Sequence, residues 1–214
     1  MSEEGFQGQG GFKAADAARD AAESLPCPLE HILSEVFRCY EARSPVELVA
    51  LLKRRYREDA MFVDPTLAAR PRRELALTLY SLQHLYSRVR VSGISQPLVQ
   101  LAPPAKGARE PALLEVLVRS KQDFDFARTK YISQQMLPES ASLETTTRLL
   151  LDPRTGQVVR HEDTWENKPL AIRLPLAWRR LNSICQNGVY RLLGWGRVLQ
   201  AAEAHVARGV WDEG

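Results

Sequence analysis

With 214 residues, 29 Lys and Arg against 26 Asp and Glu, and a formal net charge of +3, the chain is too weakly charged overall to be read as a nucleic-acid binder. A hydrophobic content of 44% and a charged content of 26% are those of a globular protein with one core and extensions. No apolar run approaches the ~20 residues of a membrane span, and Cys27, Cys39 and Cys185 form no CxxC pair, which removes a zinc ribbon and a disulfide framework and favours a reducing, cytoplasmic setting.

Residues 1–25 are rich in Gly, Gln and Ala and poor in large apolar groups, and read as a flexible arm. They lack the apolar core of a secretory signal, and their five acids are unlike a transit peptide. A helix follows Pro28, with Leu29, Ile32, Leu33, Val36, Phe37 and Tyr40 at helical spacing on one face. Ser44, Pro45 and Glu47 form a capping-box start for a second helix, which ends in the basic run Lys53, Arg54, Arg55 and Arg57. A short strand over 59–65 stops at Pro65, and helical spacing returns from Arg72 to Tyr86. The pattern then changes to strands. These run over Val89–Leu101 with a bend at Gly93, Leu113–Phe126, Lys130–Leu137 and Leu143–Leu151, and the turn Asp152–Gly156 leads into Gln157–Trp165. Helices placed before a run of strands predict an α+β fold: a curved antiparallel sheet wrapped by N-terminal helices and enclosing a ligand pocket.

Two segments carry a family resemblance. Tyr56-Arg57-Glu58-Asp59-Ala60-Met61-Phe62-Val63-Asp64-Pro65, followed directly by a helix, resembles the Y-x-x-D-x-x-F-x-D-P segment of many SnoaL-like proteins. Gly156-Gln157-Val158-Val159-Arg160-His161-Glu162-Asp163-Thr164-Trp165 is similar to the closing hairpin G-x-I-x-x-H-x-D-x-W of uncharacterised NTF2-like proteins of plants, algae and fungi. The resemblance runs over roughly 30–200 and implies the NTF2-like cone for 26–167. It implies no activity, because this fold hosts isomerases, cyclases, dehydratases, transport factors and non-enzymatic pockets.

His161, Asp163 and Trp165 share one face of the last strand, since side chains alternate with period two. An imidazole and a carboxylate on that face could do acid–base work, or the carboxylate could simply orient the ring. Asp64, before a proline turn, is either a pocket base or a backbone cap. Trp165, Phe62, Tyr86, Phe124 and Phe126 are the aromatic candidates for lining an apolar ligand site, whereas Asp123 and Asp125 alternate with the phenylalanines as either a solvated acidic face or an inward carboxylate pair. No His, Cys, Asp and Glu set has metal spacing and no GxSxG elbow occurs, so neither cofactor nor metal is expected.

The tail, 168–214, is the most unusual stretch. From Lys168 to Ala202 it holds Lys168, Arg173, Arg179, Arg180, Arg191 and Arg197 and no acid. Leu174, Trp178, Leu181, Cys185, Val189, Leu192 and Trp195 recur every three or four residues, as on one amphipathic helix weakened by Gly188, Gly194 and Gly196. Such a helix suits docking on its own sheet, on a partner (a second copy included), or on an anionic membrane surface through Arg173, Trp178, Arg179, Arg180, Arg191 and Trp195. The leading expectation is a pocket protein that binds a small apolar ligand. The alternative is an isomerase, cyclase or dehydratase using His161, Asp163 or Asp64.

Overall fold

In the computed structural model, which describes residues 9–103, 112–126, 140–166 and 176–209, the apolar spacing of the early helices is spent on a shared core. The first helix is one the sequence pattern did not show. Residues 9–23, expected to belong to a flexible arm, form α1 (Gln9–Glu23), which lies against the edge strand β4 (Leu98–Leu101). Its small Ala18 is buried there, so a low content of large apolar groups sufficed. In α2 (Leu29–Glu41) Leu29, Ile32, Leu33, Val36, Phe37 and Tyr40 are all buried. At the start of α3 (Pro45–Arg55) the Glu47 N–H donates to Ser44 Oγ at 3.1 Å, and the Glu47 carboxylate accepts from the Arg43 N–H and from Arg38 Nε. Both halves of the cap are thereby used, although the second reaches Arg43 rather than Ser44.

The strands are β1 (Tyr56–Val63), β2 (Ala68–Ala69), β3 (Tyr86–Ser92), β4, β5 (Leu114–Phe126), β6 (Ser140–Leu151) and β7 (Val158–Trp165), with α4 (Arg72–Leu85) between β2 and β3. They form one curled sheet in the order β2-β1-β7-β6-β5-β3, with β4 also paired to β5. It is mixed rather than wholly antiparallel, because β1 runs parallel to β7. The strand expected over Val89–Leu101 is two strands, parted after Gly93, whose φ of 58° is a conformation that glycine adopts without strain. The strand expected over Lys130–Leu137 lies outside the described residues.

Alternation separates the two faces of the sheet. Leu114, Val116, Val118, Ser120, Gln122 and Phe124 of β5 are buried, as are Thr145, Thr147, Leu149 and Leu151 of β6, and His161 and Asp163 of β7. The opposite face carries a charged ladder. Arg148 lies between Glu115 and Glu162, and Glu162 also accepts from Arg160. Asp123 and Asp125 fall on this outer face, Asp123 beside Lys121, so they are not a pair directed into the core.

The C-terminal segment is two helices, α5 (Leu176–Leu192) and α6 (Trp195–Ala207), parted at Gly194 with φ 81°. Of the three glycines, this one takes a left-handed conformation at the helix boundary. α6 packs on α3 with Leu199 and Ala202 buried.

Candidate functional site

The buried sheet face is apolar at one end and polar at the other. Leu114, Val116, Val118, Leu149, Leu151 and Val158 meet the helices. Beyond them the inward positions turn polar, and two arrangements result.

The first is a filled network at the β7 end. His161 is 1% and Asp163 6% exposed. Their side chains converge as the period-two spacing requires, with His161 Nε2 3.1 Å from Asp163 Oδ1. Tyr40, at the end of the α2 stripe, donates its hydroxyl to Asp163 Oδ2 at 2.5 Å and lies 3.2 Å from His161 Nε2. Thr147 Oγ1 donates to Asp163 Oδ1 at 2.6 Å. Tyr56 Oη sits 2.8 Å from His161 Nδ1, and Phe62 stands edge-on to the imidazole at 5.0 Å between centroids. Each ring nitrogen and each carboxylate oxygen therefore has a partner.

The electrostatics follow from this packing. Burial alone would raise the Asp163 carboxyl, but the facing His161 and the hydrogen bonds from His161, Thr147 and Tyr40 outweigh it and hold the group below its ordinary value. Burial, followed by the Asp163 charge, pushes the Tyr40 phenol well above its usual value, so it stays a donor. Asp64 is raised, first by burial, against opposing hydrogen bonds from Thr66 and Leu67. Its Oδ1 accepts from Thr66 N, Thr66 Oγ1 and Leu67 N at 2.6–2.8 Å, so this carboxylate is spent on its own turn.

The second arrangement is a row of buried polar side chains without partners. Among the described residues Ser120 Oγ, Thr145 Oγ1 and Gln122 Nε2 have no hydrogen-bond partner, although all three residues are buried. Ser120 pairs with Thr145 across β5 and β6, Thr145 pairs with Trp165 across β6 and β7, and Gln122 lies one inward step beyond Ser120. In the neighbouring row Thr147 pairs with Asp163. The unpartnered groups thus border the saturated network, with half-buried Trp165 and buried Phe124 at their margin.

A separate cleft of about 740 Å³ opens between the C-terminal end of α2 and β3. Tyr40 forms part of its wall, together with Tyr86 and the cationic Arg38, Arg43, Arg88 and Arg90. Tyr86 also packs on Phe124, 4.9 Å between centroids. This cleft is more polar than the apolar lining expected for Tyr86.

Of the residues picked out by sequence, His161, Asp163 and Phe62 meet, Tyr86 and Phe124 meet, and Asp64, hydrogen-bonded within its own turn, lies near enough to Asp163 for that charge to help raise it. Trp195 is turned inward, stacked on His84 at 4.4 Å and on Tyr190 at 4.9 Å, so it anchors α6 to α4. Arg191 is exposed. Arg173 and the side chains of Phe126, Trp178, Arg179 and Arg180 lie outside the described residues. Tyr40, Tyr56, Thr147, Ser120, Gln122 and Thr145 were not anticipated. The available signal was polar residues at the inward positions of β5 and β6. Among the described residues no group of His, Cys, Asp and Glu could hold a metal ion.

No protein-family model and no curated protein matches the chain. Solved structures do. An NTF2-like protein of unknown function from Exiguobacterium sp. is 9% identical, with 64% of this chain and 99% of that one covered at a TM-score of 0.47. A Catenulispora acidiphila protein of ketosteroid isomerase-like fold, in complex with trimethylamine, is 14% identical, with 69% and 95% covered at 0.45. A structure of the C. albicans Mtr2-Mex67 M domain complex is 10% identical, with 66% and 95% covered at 0.48. Likenesses at this level carry no argument about activity. The chain's own topology defines an α+β class of protein, a curled mixed sheet covered by helices.

Proposed function

We propose that this protein binds a small, largely apolar molecule carrying a carbonyl, carboxyl or hydroxyl group, held against the polar end of the buried sheet face. The observation that carries the reading is the row of Ser120, Thr145 and Gln122, buried side by side without partners. Leaving a buried polar group unsatisfied costs about 1–3 kcal/mol. Three in one row are a poor core and an ordinary recognition surface. The Gln122 amide supplies a donor, the two hydroxyls can donate or accept, and Phe124, Trp165 and Val118 supply apolar surface. A reducing, cytoplasmic setting belongs to the same proposal and is supported by the unpaired Cys27 and Cys39, and kinship with uncharacterised plant, algal and fungal NTF2-like proteins is supported by the resemblance of residues 156–165 to their closing hairpin.

The test is a thermal-shift panel of decanoic acid, geraniol and a sterol against the wild type and Gln122→Leu. A ligand at a hundred times its Kd adds about 2.7 kcal/mol, or roughly 5–10 °C in a domain of this size. At least one probe should raise the wild-type Tm and leave that of Gln122→Leu unchanged. A panel without any shift contradicts the reading.

One observation favours a second reading, an acid–base isomerase, cyclase or dehydratase. His161 and Asp163 converge, the Tyr40 hydroxyl touches both, and Tyr40 is also one of the residues lining the neighbouring cleft. Both imidazole nitrogens are engaged, so a proton would reach a ligand through Tyr40. Deuterium exchange into an enolisable ketone, followed by NMR, should then depend on Tyr40 and vanish in Tyr40→Phe. Exchange no faster than in buffer removes this reading.

A further inference from the structure

α5 docks with the face that sequence would have left outside. Its buried positions include Ser183 and Asn187, one turn apart, with Asn187 Nδ2 donating to Ser183 Oγ at 3.3 Å. The aliphatic positions point away from the protein: Ile184 is 50%, Val189 54% and Leu192 89% exposed. Leu193, in the turn before α6, and Val198 of α6 extend this surface. Val189 and Leu192 are the described members, along with Trp195, of the apolar stripe read from sequence, and they are not what holds the helix down. Among the described side chains of α5, the buried ones are Ser183 and Asn187, and Tyr190 stacks on Trp195.

Aliphatic side chains this exposed, on a helix whose polar face is buried, mark an interaction surface. Its most exposed members are Leu192 and Leu193, at 89% and 60%. The charges carried by its own stretch of chain are of one sign. Arg191 and Arg197 flank this leucine tip in exposed positions, and no acid occurs between Lys168 and Ala202. Two copies meeting through this surface would oppose arginine to arginine, which disfavours self-pairing. An exposed aliphatic tip with arginines beside it is complementary to an anionic bilayer, where the tip enters the acyl boundary and the guanidinium groups stay among the headgroups. None of the described helices is long and apolar enough to cross a membrane, so the contact is peripheral.

We infer that the α5–α6 surface, with Leu192 and Leu193 at its tip and Arg191 and Arg197 beside it, docks on anionic membrane lipid. The inference does not rest on the ligand reading, because this surface and the buried sheet face share no residue.

The experiment is co-sedimentation of the full chain with phosphatidylcholine vesicles, with and without about 30% phosphatidylserine. Wild type should bind the anionic vesicles at least about tenfold more strongly than the neutral ones, and lose that preference in about 0.5 M salt. Leu192→Glu should weaken binding about tenfold or more with an unchanged Tm, since the position is exposed. Arg191→Glu with Arg197→Glu should reduce binding to anionic vesicles only. Three results would overturn the inference: no sedimentation of wild type with anionic vesicles, binding unaffected by Leu192→Glu, or wild-type dimerisation in light scattering that Leu192→Glu abolishes while vesicle binding is absent.

Discussion

Replacing Asp163 by Asn tests the buried network at its most connected atom. The carboxylate accepts from Tyr40, Thr147 and His161 at 2.5, 2.6 and 3.1 Å while only 6% exposed. Hydrogen bonds to a charged group are worth about 1.5–3 kcal/mol each. Asparagine keeps one acceptor oxygen and the shape, so not all three are lost. What goes is the charge facing His161 and one acceptor. Breaking a buried charged partnership costs about 3–5 kcal/mol, and the retained oxygen puts the expected loss near the lower end, about 3 kcal/mol. For a chain of this size that is a fall in Tm of roughly 6–12 °C. The pH dependence gives a second reading of the same change. Asp163 is held below its ordinary value of 3.8. Its contribution is therefore complete above that pH and is lost as the pH falls through the lower native value. Urea unfolding of wild type and variant at several pH values should show a constant gap from pH 7 to about pH 5 that narrows below about pH 3.8. A loss under about 1 kcal/mol at pH 7, or a gap unchanged into strong acid, would refute the view that an ionised Asp163 organises this end of the sheet.

Thr145→Val removes a buried hydroxyl that has no partner, at nearly constant shape. It should leave stability unchanged or raise it by about 1 kcal/mol in urea unfolding, and at the same time weaken any probe that shifts the wild type. Glu35→Ala strands the buried Arg55 guanidinium, which pairs with Glu35 alongside Arg54. Denaturant unfolding should register a loss of about 3–5 kcal/mol.

The helices α2, α3 and α4 and the strands β5, β6 and β7 were legible because each carries its own period, three to four residues in α2 and two in β5 to β7, whereas the two-residue β2 and the break between β3 and β4 were not. Ser44, Pro45 and Glu47 fixed a helix start by local chemistry that tertiary context did not override. α1 was not legible, since alanine-rich sequence reveals little about burial until the edge strand it covers is known. The parallel pairing of β1 with β7 was hidden for a related reason, because strand partnership is a long-range choice. At the site, alternation placed His161 and Asp163 on one face. Their partners Tyr40, Tyr56 and Thr147 come from three other elements, and no spacing rule links residues 40, 56, 147 and 161. Tyr40 looked like one more apolar position in α2, yet its hydroxyl makes the shortest of the network's hydrogen bonds. Ser120 and Gln122 could have been singled out as polar interruptions of an inward apolar row. In the tail the spacing identified the stripe, but which side of α5 faces the protein depended on Ser183 and Asn187 finding a buried seat, a packing outcome that amphipathic spacing does not rank.

The central claim is that the unpartnered polar row on the buried sheet face receives the ligand, and side-chain amide NMR reads it most directly. On titration with a probe that raises the Tm, the Gln122 side-chain N–H₂ resonances and the Thr145 methyl should shift together and saturate at one Kd. Shifts confined to Arg88 and Arg90 in the outer cleft, with Gln122 and Thr145 unmoved, would contradict it.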